Sequence, residues 1–351
     1  MRVVTIAPTP AEQEDIHSLA RELSAELRGA DEAHAYDRAF SAGAGLVGLS
    51  SIRRLAENIS SEQPPNAIVF DLGTPEDSEI GPTPTAIVGP EDFAGLSPHT
   101  LSRALLLGTV GLHALGKTTQ QLGRITNDVA PLPGHEATPQ YSSAPGALGF
   151  HTEDSYFAVG DEIGDGTHLD GIASDWLTLH FLRNHGRIGT EIATIDPSAL
   201  PVSTVRELEK PQFPIHTSIS HGSTGIVTRA PMFAHDSRGR LLRAHLAFTD
   251  LSGLSVQAHD AYDLFDQSIE RTVLSAAPGT VAFINNRSTM HGRPPATSGF
   301  SIDGTGRWQQ RVDTRHDLPE LPHYTARPRV IDPMLFLRSN PGIVVQDRRV
   351  A

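Results

Sequence analysis

The 351-residue chain predicts an α+β fold that is mainly β, a β-sandwich flanked by α-helices. Three observations carry that prediction. Glycine (31) and proline (26) make up about 16% of the chain against an average of roughly 12%, which favours many turns over a helical bundle. Helix-period apolar spacing is concentrated in the first third. Beyond residue 125, short apolar or alternating runs are separated by Gly, Pro, Asp and Ser clusters, the texture of a sandwich or barrel.

Taken in order, Pro10 to Arg28 places Ile16, Leu19, Ala20, Leu23 and Leu27 at helical spacing, and Thr9-Pro10 is a helix start. Leu46 to Ile59 and Thr100 to Leu115 repeat the pattern, and NAIVFDL (66–72) between them reads as a buried strand. The later strands are expected at GALGF (146–150), SDWLTLHFL (174–182), TEIATI (190–195), GIVTRAPMFA (225–234), TVAFIN (280–285) and RWQQRV (307–312). One long helix, Val256 to Ala276, interrupts them, with Ala258, Tyr262, Leu264, Phe265, Ile269, Val273 and Leu274 on one side. With no internal repeat or long linker, residues 1–351 read as one domain: a largely helical part (1–120) packed on a β core (121–351) that carries the helix near 256–276.

Composition narrows the function. The absence of cysteine excludes a disulfide scaffold, a thiolate zinc site, an iron–sulfur cluster and a cysteine nucleophile. A net charge of −13 argues against a nucleic-acid binder. No apolar run of about 18 residues predicts a membrane span, and the N-terminus lacks the apolar stretch of a signal peptide. The expectation is a cytoplasmic protein that acts on a small molecule.

The 17 histidines draw attention because imidazole is the commonest metal ligand. On a strand, residues i and i+2 share a side, so His-x-Glu presents two ligands to one ion, and a distant strand must supply the third. Chance alone yields about two His-x-acid pairs here, and the chain contains two: His151-Thr152-Glu153 and His168-Leu169-Asp170. Context separates them. His151 directly follows the apolar GALGF run, whereas His168 sits in the acidic, glycine-rich GDEIGDGTHLDG and reads as a surface turn.

The distal partner has an equally favourable setting, since TVAFINNRSTMHGR runs from a buried strand into His291. Two histidines and one carboxylate leave open positions on a metal, the arrangement of non-haem Fe(II) oxygenases. Arg307 lies sixteen residues beyond His291 with Arg311 four further on, and a guanidinium there can clamp a carboxylate bidentately.

At these residues the sequence resembles a known family. FHTED (150–154), VAFINNRSTMHGRP (281–294) and DGTGRWQQR (303–311), preceded by GRITNDVAPLPGHE (123–136), are similar to the clavaminate synthase-like Fe(II)/2-oxoglutarate-dependent oxygenases. That group includes hydroxylases of free arginine, asparagine and related amino acids in antibiotic pathways. The resemblance implies a double-stranded β-helix (jelly-roll) core, with His151, Glu153 and His291 on Fe(II). It also implies Arg307 on the distal carboxylate of 2-oxoglutarate and Thr190 helping to hold that cosubstrate. Arg311 would meet the substrate's α-carboxylate, Glu153 its ammonium, Gln120 or Gln121 its backbone, and Asp250 its side chain. Asp154, Asp161, Asp165 and Asp170 would add to a cation pocket.

The implied reaction consumes O2 and 2-oxoglutarate, releases succinate and CO2, and hydroxylates an unactivated C–H bond. The expected position is C3 of a polar or cationic L-amino acid, with arginine or an arginine-like amino acid leading. The same machinery performing desaturation or cyclisation, or acting on a carrier-bound amino acid, is the neighbouring alternative. A non-catalytic cupin-like metal or small-molecule binder is the alternative from another class. A zinc hydrolase is disfavoured, since no His-Glu-x-x-His pattern occurs. Other histidines, among them His113, His180 and His245, are expected to be packed or exposed rather than ligating, and Trp176 and Trp308 to be core or pocket-wall residues.

Overall fold

The computed structural model describes residues 1–89, 95–117, 123–138, 142–153, 155, 173–216, 226–236, 238–296, 300–316, 325–327, 329–331 and 346–347. In chain order its strands are β1 (Val3–Ile6), β2 (Ala67–Asp71), β3 (His113–Lys117), β4 (Asn127–Val129), β5 (Leu148–His151), β6 (Trp176–Arg183), β7 (Thr190–Thr194), β8 (Phe213–His216), β9 (Ile226–Ala230), β10 (Phe233–Asp236), β11 (Gly239–Leu242), β12 (Glu270–Leu274), β13 (Thr280–Asn285), β14 (Met290–Arg293), β15 (Trp308–Arg315), β16 (Thr325–Arg327), β17 (Val330–Ile331) and β18 (Gln346–Asp347). The helices are α1 (Pro10–Glu26), α2 (Glu32–Ala42), α3 (Ser50–Ile59), α4 (Asp77–Ile80), α5 (Pro98–Thr109), α6 (Val202–Leu208) and α7 (Val256–Gln267).

The result is a mixed α/β architecture dominated by sheets. The main sheet runs β1-β2-β13-β6-β15-β3-β17-β16, with β4 also on β15. A smaller antiparallel sheet runs β12-β7-β14-β5. Side-chain alternation stacks these layers. Trp176, Val281, Phe283 and Val312 of the main sheet pack on α1, α2, α3 and α5, whereas Leu177, Leu179, Phe181, Ala282 and Ile284 meet Ile192 and Leu274 of the smaller sheet. The far side of the smaller sheet, Ala193 and Met290, packs on Leu208 of α6 and on Ala258, Ala261, Tyr262 and Phe265 of α7. The order is therefore helices, main sheet, smaller sheet, helices, with the site between the sheets.

Local chemistry explains most element boundaries. Thr9 caps α1 in a full capping box with Glu12, and Pro10 occupies the first turn, where its missing N–H costs nothing. The expected helix at Leu46–Ile59 begins only at Ser50, after a 3₁₀ turn over Gly43–Leu46. The expected helix to Leu115 stops at Thr109, because His113–Lys117 pairs with β15 instead.

The largest correction concerns Val256–Ala276. The helix ends at Gln267, and Glu270–Leu274 forms β12 against β7, so Ile269, Val273 and Leu274 do not extend the helical face. Val273 is exposed. The β-branched Thr272 and Val273 suit a strand, and the open edge of β7 supplies a ladder that no helix could use. The run at 225–234 is likewise two strands, β9 and β10, broken at Pro231-Met232. Several elements were not anticipated, among them β1, parallel to β2, and α2, capped by Asp31.

Candidate metal centre

His151 and His291 are direct cross-strand partners in the antiparallel pair β5–β14. Residues 140 apart in sequence therefore place their rings on one face of the smaller sheet, with ring centroids 4.2 Å apart. The close approach depends on Gly292, where a Cβ would lie 2.7 Å from the Leu148 carbonyl oxygen. The ladder register shifts between His291 and Arg293 at this point.

Glu153 reaches the same point by a different route. β5 ends at His151, so Glu153 is not held by the strand periodicity that favoured His-x-Glu. Its backbone is clamped by Asn286, just beyond β13. The Glu153 N–H donates to Asn286 Oδ1 at 2.7 Å, and Asn286 Nδ2 donates to the carbonyls of Glu153 (3.2 Å) and Ser174 (2.8 Å). Glu153 Oε1 then lies 3.4 Å from His291 Nε2 and 3.9 Å from His151 Nε2. Among the described residues this is the one group of three His, Asp or Glu side chains whose candidate ligand atoms all lie within 4.8 Å of one another, and all three are buried.

The electrostatics suit a cation. His151 Nδ1 lies 2.9 Å from the Gly149 carbonyl oxygen, a contact that assigns the proton to Nδ1 and leaves the Nε2 lone pair facing Glu153. Burial, reinforced by the neighbouring His291, pulls the His151 pKa down to about 3, so the ring is neutral, as a ligand must be. Burial by itself would raise Glu153. The Arg311 guanidinium, the His291 hydrogen bond and both imidazoles outweigh it and hold the carboxyl well below its usual range. Two imidazoles, one of them held neutral, and one carboxylate thus fit a divalent ion with open coordination positions.

Arginines surround this cluster. Arg311 donates to Glu153 Oε1 at 2.8 Å. Arg307, immediately before β15, is 3% exposed, donates to Gln309 Oε1 at 2.5 Å and lies over the Phe181 ring at 5.7 Å. Burial, with Arg293 nearby, brings its pKa down to about 9. Arg293 donates to the Ser142, Ala144 and Gly146 carbonyls, pinning the segment that leads into β5, and burial lowers it to about 10. Neither guanidinium has a carboxylate partner among the described residues. Burying such charge is costly unless an anion joins it. Thr190, at the start of β7, is buried on the strand face shared with Ile192, turned toward the main sheet.

Asp250 sits in the turn before α7, where its Oδ1 accepts the Ser252 N–H at 2.8 Å. Gln120, Gln121, His168, Asp154, Asp161, Asp165 and Asp170 lie outside the described residues. Trp176 and Trp308 are buried, and Trp308 Nε1 donates to Asp128 at 2.9 Å. His113 stacks on Phe40, His180 is fully buried, and His245 is packed against His151.

Sequence reading also missed two features. Asn286 stood inside a quoted motif, and its position one residue past a buried strand was the available signal. A small cavity behind Glu153 is lined by Asp175, Asp236, Arg238 and Arg287. There Arg238 pairs with Asp175 (2.6 Å) and Arg287 with Asp236 (2.6 Å), an arrangement with no sequence signature.

No protein-family model matches the chain. Among curated proteins it is 28% identical to the L-asparagine oxygenase of Streptomyces coelicolor over 279 residues, covering 77% of each chain. It is 27% identical to the L-ornithine/L-arginine 3-hydroxylase of Catenulispora acidiphila (61% of this chain, 66% of that one). The enduracididine β-hydroxylase of Streptomyces hygroscopicus is 25% identical, with 76% and 81% covered. Among solved structures, the non-heme iron oxygenase OrfP in complex with Fe superposes with a TM-score of 0.71 at 26% identity, over 93% of this chain and 99% of that one. An asparagine oxygenase in complex with Fe(II), 2S,3S-3-hydroxyasparagine and succinate gives 0.73 at 24% identity, over the same shares. In sequence and in fold, the chain, which carries a buried His–Glu–His cluster, is similar to the Fe- and 2-oxoglutarate-dependent oxygenases that act on free amino acids.

Proposed function

We propose that the protein is an Fe(II)- and 2-oxoglutarate-dependent hydroxylase of a free polar or cationic L-amino acid, attacking C3, with arginine or an arginine-like amino acid as leading substrate. The observation that carries this reading is the convergence of His151 at the end of β5, Glu153 just beyond it and His291 on β14 at one buried point. The two sheets that enclose this point are, on this reading, the halves of a double-stranded β-helix.

His151, Glu153 and His291 hold the ferrous ion, which when bound supplies oxygen activation coupled to the decarboxylation of 2-oxoglutarate to succinate and CO2. Arg307 takes the distal carboxylate of 2-oxoglutarate, the anion its buried charge lacks, and the Thr190 hydroxyl supports that cosubstrate. Arg311 meets the α-carboxylate of the amino acid while still touching Glu153, whose carboxylate also faces the substrate's ammonium. Pinning the head group at both charges decides which carbon is presented, and burial of the whole arrangement keeps water out. Asp250 is the candidate for the substrate's side-chain end, and Gln120 or Gln121 for its backbone. The curated relatives, named for oxidation of asparagine, ornithine, arginine and enduracididine, support a free amino acid as substrate.

The test is an anaerobic complex of the protein with Fe(II) and 2-oxoglutarate, titrated with the common amino acids while its charge-transfer band is monitored. Arginine or a close relative is expected to shift the band and, once air is admitted, to yield one succinate per hydroxylated product. A band that no amino acid shifts, with no substrate-dependent succinate, would overturn the reading.

A further inference from the structure

His245 stacks on the face of His151, with ring centroids 4.8 Å apart and planes within 20°. The contact is built in by the backbone. His151 and His245 form an isolated antiparallel bridge, the Leu246 N–H donates to the Phe150 carbonyl at 2.9 Å, and the Thr152 N–H donates to the Ala244 carbonyl at 2.8 Å. Residues 244–246 are thus zipped along residues 150–152. Phe248 closes in on the His245 ring at 4.4 Å, so the imidazole is held between a phenyl ring and His151. It is 4% exposed, and its Nδ1 has no hydrogen-bond partner among the described residues. His245 also lies outside the group of atoms able to touch one ion.

We propose that His245 is a positioning residue for the metal centre: its ring braces the plane of His151 so that His151 Nε2 points at the ion. The inference rests on the metal reading above. The Gly149 carbonyl fixes which nitrogen of His151 carries the proton, yet one hydrogen bond leaves the ring free to swing about the Cβ–Cγ axis. His291, tilted by 48° at 4.2 Å, limits that swing on one side, and His245 limits it from the stacked face. The brace acts through ring stacking rather than through a hydrogen bond, so phenylalanine should replace it.

The experiment compares wild type with His245→Ala, His245→Phe and His245→Gln, using Co(II) as a spectroscopic probe. Loss of an outer support of a ligand typically weakens metal binding by about 10–100-fold. That loss, with an altered d–d spectrum, is expected for His245→Ala and His245→Gln, whereas His245→Phe should stay within about threefold of wild type. Wild-type affinity and spectrum in His245→Ala would overturn the proposal, as would rescue by Gln but not by Phe, which would assign the role to a hydrogen bond. In the metal-free proteins, ¹⁵N-histidine NMR should show a single Nδ1–H tautomer for His151 in wild type and His245→Phe, and averaged shifts in His245→Ala. Unchanged His151 signals in a folded His245→Ala variant would also overturn it. Failure of wild type to bind Co(II) would sink the metal reading itself, and the NMR comparison would still decide whether the brace exists.

Discussion

The two faces of the main sheet use the same strands for opposite ends. Toward α1, α2 and α5, strands β6, β13 and β15 present Trp176, Val281, Phe283 and Val312 to a continuous aliphatic layer. The polar groups on that face are mostly neutral and locally paired, as with Thr100 and Gln310 at 2.8 Å. Arg103, whose guanidinium reaches the Tyr36 hydroxyl at 2.5 Å, and His180, with neither ring nitrogen partnered among the described residues, depart from that pattern. Toward the smaller sheet, Leu177, Leu179 and Phe181 share the face with Gln309 and Arg311, with Arg307 lying over Phe181. One face spends its burial on hydrocarbon and holds the fold together. The other buries guanidinium groups beside a carboxylate and two imidazoles, an arrangement that burial alone would penalise and a ligand would stabilise.

Substitutions on the two faces should therefore fail differently. His151→Ala, Glu153→Ala and His291→Ala are each expected to abolish Co(II) binding and turnover while the fold survives. Phe283→Ala, on the helical face and fully buried, should instead cost about 3–5 kcal/mol of stability. Calorimetric metal titration beside a denaturant melt checks both. A Phe283→Ala variant that stays folded but loses the metal would break the distinction.

Arg307 sharpens it further. Removing a buried charge-assisted partner of a carboxylate costs about 2–5 kcal/mol of binding. The KM for 2-oxoglutarate in Arg307→Met should therefore rise at least about thirtyfold. Without 2-oxoglutarate the same variant should melt no lower than wild type, because an unneutralised buried charge has gone. A large drop in apo melting temperature would mean that Arg307 is a structural residue.

Asn286→Ala tests the clamp on Glu153. It deletes three hydrogen bonds around the Glu153 backbone without touching the carboxylate. Metal affinity should fall by about 10–100-fold, the range typical of outer-shell partners. Equilibrium Co(II) titration reads the effect, and an unchanged affinity would mean that Glu153 is held by its side-chain contacts to Arg311 and His291 alone.

Much of the centre was legible because its histidines are anchored by strands. His151 ends one apolar run and His291 follows another, and antiparallel pairing turned that pattern into a cross-strand contact. Glu153 was found for a reason that does not hold, since Asn286 rather than strand periodicity seats it. Asn286 and His245 act through tertiary contacts, and a single sequence carries no trace of which distant backbone a side chain will meet. The Val256–Ala276 segment misled because ERTVL has apolar residues compatible with either period, and the free edge of β7 decided between them. The helix α2 was overlooked because EAHAYDRAFSA is short and weakly apolar, and its Asp31 cap was the signal to follow.

The smallest expected effect lies in the helical layer, where a carboxylate serves stability. Glu12 closes the capping box with Thr9, accepting the Thr9 N–H at 2.9 Å. It also accepts the Ser51 N–H at 3.1 Å and the Ser50 hydroxyl at 2.9 Å, and so caps the start of α3 as well. Led by the Thr9 backbone bond and opposed by burial, these contacts bring its pKa down from 4.5 to about 2. A carboxyl whose pKa is lower folded than unfolded contributes stability that is fully present above the unfolded value and is lost as pH falls through the folded one. Glu12→Gln should therefore destabilise the protein at pH 7, and its deficit against wild type should shrink as pH falls from 4.5 toward 2. Thr9→Ala should cost about 1 kcal/mol at neutral pH. Denaturant melts of the three proteins at pH 7, 4.5 and 3 measure this. A Glu12→Gln deficit that stays constant across that range would show that shape rather than charge joins α1 to α3, while leaving the buried charges of the opposite face as the chain's main electrostatic commitment.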